Sequence, residues 1–276
     1  MGIRMKIIPC VNNCDILDQE IKNRKTNDRD TKIERIYIGS YFCGNYFLHI
    51  KIEEIRTLLF YYEEQIRVTL VIPMFSQHQL EQGKRKLSYL LEKFKDVIDE
   101  ITVNDYGMLS YIRNTYDIKI NLGRLFMKDY RDPRYEEYFR QTLKPRIFTP
   151  YLTDLCRKYG IEGMEFDPTH QVIDFNDAPK NIRIGIHTPL CYLTTGQICE
   201  FASIPKKTEL KYRPNSSCQK ECQSCHLTYV DDENLTWYRW GRAIYFKNEE
   251  VCIQGTDTIR EIRFPLEKVK GMDGKS

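Results

Sequence analysis

The cysteines in the second half of the chain are the residues whose type and spacing point most clearly to chemistry. Five of the ten cysteines lie in a Cys-rich segment, residues 187–226, which contains the runs His187-Thr-Pro-Leu-Cys191, Thr195-Gly-Gln-Ile-Cys199 and Cys218-Gln-Lys-Glu-Cys222-Gln-Ser-Cys225-His226. The last three thiols have polar neighbours, unlike cysteines that serve as small hydrophobic core residues. Their density and setting predict a metal centre.

Several kinds of site use clustered cysteines, and the sequence separates them in part. Disulfides need an oxidising compartment, and Met1–Ile8 has no apolar stretch of signal-peptide length, so we expect a cytoplasmic protein with reduced or metal-bound thiols. The run from Cys222 to His226 matches the pattern for covalent haem attachment, which takes place outside the cytoplasm. Zinc sites usually use two Cys-x-x-Cys pairs, whereas iron–sulfur clusters accept irregular spacing. Spacing favours iron–sulfur and leaves zinc open.

Composition and charge exclude few classes of protein. The 276 residues, 41% of them hydrophobic, are enough for one large core or two modest ones. No run of about 18 apolar residues exists, so no membrane span is expected. A formal net charge of +3 neither requires nor excludes a nucleic-acid partner.

The elements that must position the thiols alternate between strands and helices. Short apolar runs predict strands, and apolar residues at helical spacing predict helices. The predicted strands are Lys6–Pro9, Arg35–Gly39, Arg67–Met74, Val97–Val103, Ile118–Leu122, Gly163–Phe166, Ile182–Ile186 and Gly241–Phe246, and the predicted helices are Cys14–Ile21, Ile52–Gln65, Gln77–Phe94, Tyr106–Thr115 and Thr149–Tyr159. Eight strands in this α/β alternation predict a (β/α)8 TIM-like barrel, regular or irregular, with a doubly wound open sheet as the alternative. Residues 1–255 would form this single domain and residues 256–276 a C-terminal extension.

Polar residues follow the predicted strands, where barrels of this kind have their active sites. They are Cys43, Asn104, Asp105, Arg124, Asp167, His170, His187 and Cys191. His187 could transfer a proton near neutral pH or be a hydrogen-bonded core histidine. Arg124 could hold a carboxylate or phosphate, and Asp105 could cap the helix that starts near Tyr106. For Arg134 a surface ion pair with Asp132 or Glu136 is favoured.

Four segments resemble the collagenase-like peptidase family. They are Ile36-Tyr-Ile-Gly-Ser-Tyr-Phe-Cys43, Val103-Asn-Asp-Tyr-Gly107, Leu122-Gly-Arg-Leu125 with Asp132-Pro-Arg134, and the run from His187 to Cys222. The better-understood members of that family are iron–sulfur proteins of oxygen-independent hydroxylation, acting in anaerobic ubiquinone biosynthesis and in tRNA and rRNA modification. The resemblance implies a 4Fe–4S cluster held by Cys199, Cys218, Cys222 and, as the fourth ligand, Cys43. Cys191, Cys225 and Cys252 remain alternatives for the fourth ligand.

The resemblance also implies a function and partners. A catalytic pocket beside the cluster would be lined by Asp105, Arg124, Asp167 and His187. The substrate would be a small aromatic or quinone-type molecule, and the chain would form a hetero-oligomer with a related subunit. RNA base hydroxylation is one alternative, for which the basic run Lys206–Arg213 gives modest support. A non-catalytic cluster-bearing subunit is another, in which Trp237 and Trp240 would mark an exposed interface, although burial is the commoner fate of tryptophan. Proteolysis is disfavoured because the chain has no G-x-S-x-G and no H-E-x-x-H motif.

Overall fold

The computed structural model describes residues 5–13, 33–62, 65–127, 131–142, 148–168, 172–223, 225–248, 251–264 and 270–273. The strands in chain order are β1 (Lys6–Asn12), β2 (Arg35–Gly39), β3 (Arg67–Ile72), β4 (Ile98–Val103), β5 (Lys119–Leu122), β6 (Ile161–Phe166), β7 (Ile173–Asp174), β8 (Arg183–Thr188), β9 (Leu190–Thr195), β10 (Cys225–Val230), β11 (Thr236–Trp240), β12 (Ala243–Lys247), β13 (Ile253–Gln254), β14 (Thr258–Arg263) and β15 (Lys270–Asp273). The helices are α1 (Gly44–Leu48), α2 (Ile52–Tyr61), α3 (Leu80–Lys93), α4 (Tyr106–Thr115), α5 (Glu136–Thr142) and α6 (Pro150–Tyr159).

Eight of these strands form a closed barrel in which every pair is parallel. Their order is β1-β14-β8-β6-β5-β4-β3-β2. Strands that are covered on both faces are rich in apolar residues, and β2, for example, is buried at all five residues. The prediction of an α/β barrel is therefore confirmed, and the open-sheet alternative is wrong.

Helices cover the part of the barrel that follows β2, β3, β4 and β5. On α3 the buried residues include Leu87 and Leu90, which lie three apart on one face. Side-chain caps begin α4 at Asp105 and α6 at Thr149. After β6 and β8, by contrast, the described connections contain short strands, 3-10 turns and a second sheet. The predicted helix Cys14–Ile21 lies outside the described residues.

The eighth barrel strand is not the one predicted from the sequence. The run Gly241–Phe246 forms β12, which pairs antiparallel with β9 and β11 in a second sheet. The barrel is closed by β14, which pairs parallel with both β1 and β8. Its sequence, Thr-Ile-Arg-Glu-Ile-Arg, lacks an apolar run because Arg260 bonds to a carboxylate inside the barrel. The barrel thus extends to Arg263, beyond the boundary at residue 255 that the sequence suggested.

The second sheet covers the carboxyl end of the barrel. Its order is β15-β10-β11-β12-β9, and β9 follows β8 directly after a cis peptide bond between Thr188 and Pro189. One buried cluster joins this sheet to the barrel strands and contains Tyr37, Tyr41, Phe42, Tyr192, Trp240, Tyr245 and Phe264. Trp237 and Trp240 are each 3% exposed, so the expectation that they mark an exposed interface is wrong. Within the described chain, no helix combines the length and the apolar character that crossing a membrane requires.

Candidate functional site

The side chains singled out from the sequence lie at one end of the barrel. Cys43 follows β2, Asp105 follows β4, Arg124 follows β5, Asp167 follows β6, and His187 is the fifth residue of β8. Because all eight barrel strands are parallel, their carboxyl ends share one rim. The strands therefore bring these five residues to the same end of the molecule, beneath the second sheet.

Deepest in the barrel, Glu100 on β4 is surrounded by cations. It accepts hydrogen bonds from Arg260 Nη1 at 2.6 Å, Thr69 Oγ1 at 2.6 Å and Asn121 Nδ2 at 3.0 Å. Burial opposes its charge, but the charges of Arg260 and Arg35 and the hydrogen bond from Thr69 lower the pKa of Glu100 to about 2. This carboxylate is therefore ionised and joins β14 to β3, β4 and β5.

A second carboxyl group, Glu165 on β6, has uncharged partners. Its Oε2 accepts from Tyr41 Oη at 2.7 Å and lies 2.9 Å from His187 Nε2, and its Oε1 accepts from Thr102 Oγ1 at 2.5 Å. Burial raises the pKa of Glu165 to about 7, against the lowering effect of the Thr102 and Tyr41 hydrogen bonds. Burial, together with the charge of Arg124, lowers the pKa of His187 well below its usual value. A carboxyl group that titrates near neutrality thus contacts a neutral imidazole.

His187 has the contacts of one of the two alternatives that the sequence left open. It is 2% exposed, and its ring packs edge-on against Tyr41 with centroids 5.0 Å apart, as expected of a hydrogen-bonded core histidine. The other alternative, proton transfer by His187, stays a prediction.

Above this pair, Arg124 forms a buried ion pair with Asp167. Arg124 Nε donates to Asp167 Oδ2 at 3.0 Å, a second bond joins Nη2 to Oδ1, and Nη2 also donates to Leu190 O at 2.9 Å. The guanidinium carbon lies between 5.3 and 5.7 Å from the ring centroids of four aromatic residues, Tyr41, Phe42, Tyr192 and Tyr245. Arg124 thus binds a carboxylate of the protein itself, that of Asp167, and the aromatic rings surround the positive guanidinium group.

Asp167 is saturated with donors. Besides Arg124, it accepts from Arg131 Nη1 at 3.4 Å and from the backbone N–H of Tyr192 at 3.1 Å. Arg131 also lies over the Tyr192 ring, with its Cζ 4.0 Å from the centroid. The ion pair therefore connects the end of β6 to the start of the second sheet.

Asp105 and Arg134 have structural contacts of the kind that the sequence offered as alternatives. Asp105 is the N-cap of α4, and its Oδ1 accepts from Met108 N at 2.8 Å. Burial raises the pKa of Asp105 although backbone N–H groups bond to it. Arg134 pairs with Asp132 at 2.7 Å on the surface. No contact of the described residues joins Asp105 to Arg124, Asp167 or His187.

The four predicted cysteine ligands lie in one neighbourhood. Cys199 Sγ donates to Gly241 O at 3.6 Å, and Cys222 Sγ lies 3.8 Å from the position that a Cβ on Gly241 would occupy. Gly241 has the left-handed backbone (φ 54°) of the turn between β11 and β12. Burial raises the pKa of Cys43 to about 11, and the nearby charges of Cys218 and Cys199 raise it further. The charge of Cys199 also adds to the effect of burial in raising the pKa of Cys218. Thiols from two distant parts of the sequence therefore interact.

Arg242 supplies positive charge beside these thiols. It is 5% exposed, and its Nη1 and Nη2 donate to Gln197 Oε1 at 3.0 Å and Asn215 Oδ1 at 3.2 Å. Its Nε has no hydrogen-bond partner, and no carboxylate of the described residues pairs with it. Its charge lowers the pKa of both Cys43 and Cys218, against the effect of burial. A buried cation without a counter-ion is the setting that a group of thiolates would satisfy.

Hydrogen bonds fasten the Cys-rich segment to the barrel. Asn45 Nδ2 donates to Ser216 O at 2.6 Å, Gln223 Nε2 donates to Tyr46 Oη at 3.3 Å, and Trp240 Nε1 donates to Cys222 O at 2.5 Å. Lys220 Nζ pairs with Glu54 on α2 at 2.5 Å. The residues around the thiols are thus fixed to α1, α2 and β11.

The thiols share a neighbourhood rather than a finished coordination geometry. Among the residues that the structure describes, no group of three or more His, Cys, Asp or Glu side chains is arranged to hold a metal ion. The donor type, the shared location and the uncompensated Arg242 fit an anionic thiolate site. To hold a cluster, the four side chains would have to turn toward one centre.

Of the alternatives for the fourth ligand, Cys191 and Cys252 lie in other surroundings. Cys191 is buried in β9, where its Sγ bonds to Pro168 O. Cys252 is exposed and precedes β13. Cys225 begins β10 and is partly buried.

Sequence reasoning missed Glu165, Tyr41, Thr102, Arg131 and Arg242. One signal was available for Glu165, the charged residue inside the predicted strand Gly163–Phe166, because a carboxyl group there must face a polar interior or a partner. Nothing in the sequence pairs it with Tyr41 and Thr102, which come from other strands or loops.

Comparison with known proteins gave no match. No protein-family model, curated protein or solved structure matches this chain.

Proposed function

We propose that this chain is an iron–sulfur protein in which Cys43, Cys199, Cys218 and Cys222 hold a 4Fe–4S cluster, and that it takes part in the oxygen-independent hydroxylation of a small aromatic or quinone-type substrate. The observation that supports the proposal is the shared surroundings of these cysteines: Cys199 and Cys222 lie beside Gly241, and the charge of Arg242 acts on Cys43 and Cys218. Cys43 comes from the barrel rim and the other three from the segment between β9 and β10. When bound, such a cluster would supply electron transfer or a Lewis acid.

The fold part of the proposal is an irregular (β/α)8 barrel. Helices follow β2 to β5 as in a regular barrel of this type, and the second sheet takes the place of a helix between β8 and β14. Because this sheet replaces a helix, the Cys-rich segment lies at the carboxyl end of the barrel, where such folds have their active sites.

The roles of the interior residues follow from their contacts. Glu165 would take up and release a proton near neutral pH, and the neutral His187 would orient its Oε2 through the contact with Nε2. Arg124 and Asp167 would position Tyr41, Phe42, Tyr192 and Tyr245 between that pair and the thiols. Asp105 acts as the cap of α4.

Metal analysis after anaerobic purification and reconstitution tests the cluster. We expect about four irons and four sulfides per chain, with a broad visible absorption that bleaches on reduction. Zinc alone, or a colourless metal-free protein, would contradict the proposal.

Single Cys→Ser variants test the ligand set. Substitution of Cys43, Cys199, Cys218 or Cys222 is expected to lower the iron content clearly. Cys252→Ser, at an exposed thiol, and Cys191→Ser, at a buried one, are the matched controls and are expected to retain it. Full iron in Cys43→Ser would show that the fourth ligand is a different residue.

A second candidate, a cluster-bearing subunit without its own catalysis, is favoured by burial. Arg124, Asp167 and His187 are each at most 3% exposed, so a substrate would reach them only if the covering aromatic layer moved. Extraction of the anaerobically purified chain separates the candidates: a bound quinone-type lipid supports the hydroxylase, bound RNA supports RNA modification, and a co-purifying related subunit with no small ligand supports the non-catalytic role.

A further inference from the structure

A groove of about 1040 Å³ lies outside the barrel, between α1, the start of α3 and residues 214–217. Its lining residues are Asn45, Leu48, His49, His78, Gln79, Gln82, Arg85, Lys86, Pro214, Asn215 and Ser217. Polar side chains predominate, and the volume matches that of sites for small organic ligands. The groove is separate from the buried Glu165–His187 pair.

The lining carries positive charge and hydrogen-bond donors. Among the described residues that line it are an arginine, a lysine, two histidines and four amide side chains, and none is acidic. The nearby carboxylates are occupied elsewhere: Glu54 pairs with Lys220 at 2.5 Å and Glu81 pairs with Lys84 at 2.8 Å. Arg85 forms no ion pair with any described residue; its Nε donates to Glu81 O at 3.4 Å, and its charge helps Lys84 to lower the pKa of Glu81. Its charge is thus available to an anion.

Several donors of the groove are held in place by the fold. Lys86 Nζ donates to Ile50 O at 2.5 Å, and burial lowers the pKa of this lysine. His49 Nδ1 lies 2.7 Å from Asn45 O. A carbonyl oxygen can only accept, so His49 Nδ1 carries a proton and donates it to Asn45 O. Gln79 Nε2 donates to Asn45 Oδ1, and Asn45 Nδ2 in turn donates to Ser216 O at 2.6 Å.

We propose that this groove binds the phosphate group of a nucleotide-sized phosphorylated ligand, with Arg85, Lys86 and His49 as the groups that neutralise it. A bidentate guanidinium, an ammonium and an imidazole are the side chains that recognise phosphate oxygens. The same chemistry is offered by a free nucleotide and by the terminal phosphate of an RNA. The groove borders the thiols, because Asn45 lies two residues after Cys43 and Ser217 directly precedes Cys218. A bound ligand would therefore lie beside the Cys-rich segment.

Titration calorimetry on the full chain tests the proposal with pyrophosphate, ADP and short RNAs with and without a 5′-phosphate. The readout is binding, so its outcome does not depend on the iron–sulfur cluster or on activity. We expect pyrophosphate and ADP to bind, with an affinity that falls as the salt rises from about 50 to 300 mM. Arg85→Gln and His49→Gln are each expected to weaken binding about tenfold.

Lys93→Gln is the matched control because it removes one positive charge at the other end of the same helix, outside the groove. It is expected to leave both the affinity and the thermal midpoint unchanged. Equal affinity in Arg85→Gln and wild type, no binding of pyrophosphate or ADP, or equally tight binding of an oligoglutamate of matched charge would each overturn the proposal. Tighter binding of the 5′-phosphorylated RNA than of ADP, lost in Arg85→Gln, would support it with RNA as the source of the phosphate.

Discussion

The interior of the barrel gives chemically similar carboxyl groups different charge states. Glu100 faces arginines, and its pKa falls to about 2. Glu165 faces two hydroxyl groups and an imidazole, and burial raises its pKa to about 7. Both are at most 2% exposed, so the partner and not the depth of burial makes the difference. Glu165 is therefore the carboxyl group suited to proton exchange, and Glu100 is suited to holding strands together.

Stability should fall with rising pH because of Glu165. Its folded-state pKa of about 7 exceeds the ordinary 4.5, so its favourable contribution is complete below pH 4.5 and is lost as the pH rises through 7. The rise in the Glu165 pKa corresponds to about 3 kcal/mol in the free energy of unfolding. His187 acts in the opposite direction in this range because its pKa is lowered. The informative quantity is thus the difference in unfolding free energy between wild type and Glu165→Gln, measured by urea denaturation from pH 4.5 to 7.5. A pH-independent difference would contradict the assignment.

The Arg124–Asp167 pair should show strong coupling in unfolding experiments. Arg124→Met and Asp167→Asn should each destabilise the protein by about 3–5 kcal/mol, because each leaves a buried partner uncompensated. The double variant should cost clearly less than the sum of the two. Arg157→Gln is the control: its pair with Asp154 is exposed, and its loss should cost less than about 1 kcal/mol. Additive single effects would show that the two residues do not act as a unit.

At the scale of elements, the sequence predicted seven of the eight barrel strands and missed β14, which lacks an apolar run. β2 and α4 have the predicted bounds, because one is a continuous apolar run and the other has a capping Asp105 and apolar residues at helical spacing. On β14, Arg260 points toward Glu100. A charged residue that faces the interior can be predicted as part of a strand only when the strand that carries its partner is known. β12 has the apolar pattern of a barrel strand because the second sheet buries it too. The sequence placed side chains at strand ends, but which side chains meet there depends on strand order.

The importance of β14 can be tested by truncation. A chain that ends at Gly255 loses the strand between β1 and β8 and removes Arg260 from Glu100. We expect it to lose cooperative thermal unfolding and near-ultraviolet circular dichroism, because two barrel edges and a buried carboxylate are left without partners. A chain that ends at Asp273 keeps β14 and β15 and should unfold as the full chain does. Cooperative unfolding of the shorter chain would show that the barrel does not need β14.

At the scale of the molecule, the four thiols lie partly in the barrel rim and partly in the segment that covers it. Cys43 belongs to the turn after β2, and Cys199, Cys218 and Cys222 belong to the covering segment. The sequence supplied the thiols and their spacing, whereas Arg242 and the turn at Gly241 are brought to them by the pairing of β11 with β12. A group bound by all four thiols would bind the folded chain and not the unfolded one, and would therefore stabilise the fold.

Removal of the proposed cluster should accordingly lower the thermal midpoint. For a chain of this length about 1 kcal/mol corresponds to a shift of about 2–4 °C, and we expect a shift of at least about 5 °C between reconstituted and chelator-treated protein in calorimetry. The Cys43→Ser variant should show a smaller shift because it lacks the only predicted ligand from the barrel rim. Identical midpoints with and without iron would argue against a cluster that joins the two parts.

The position of β1 between β2 and β14 has a consequence for biosynthesis. β1 is translated long before its neighbour β14, since Lys6 aligns with Thr258. Until β14 has been synthesised, one edge of β1 has unpaired backbone N–H and C=O groups that can pair with another polypeptide. The barrel therefore cannot close until β14 has been translated, and we expect nascent chains to depend on chaperones during that interval.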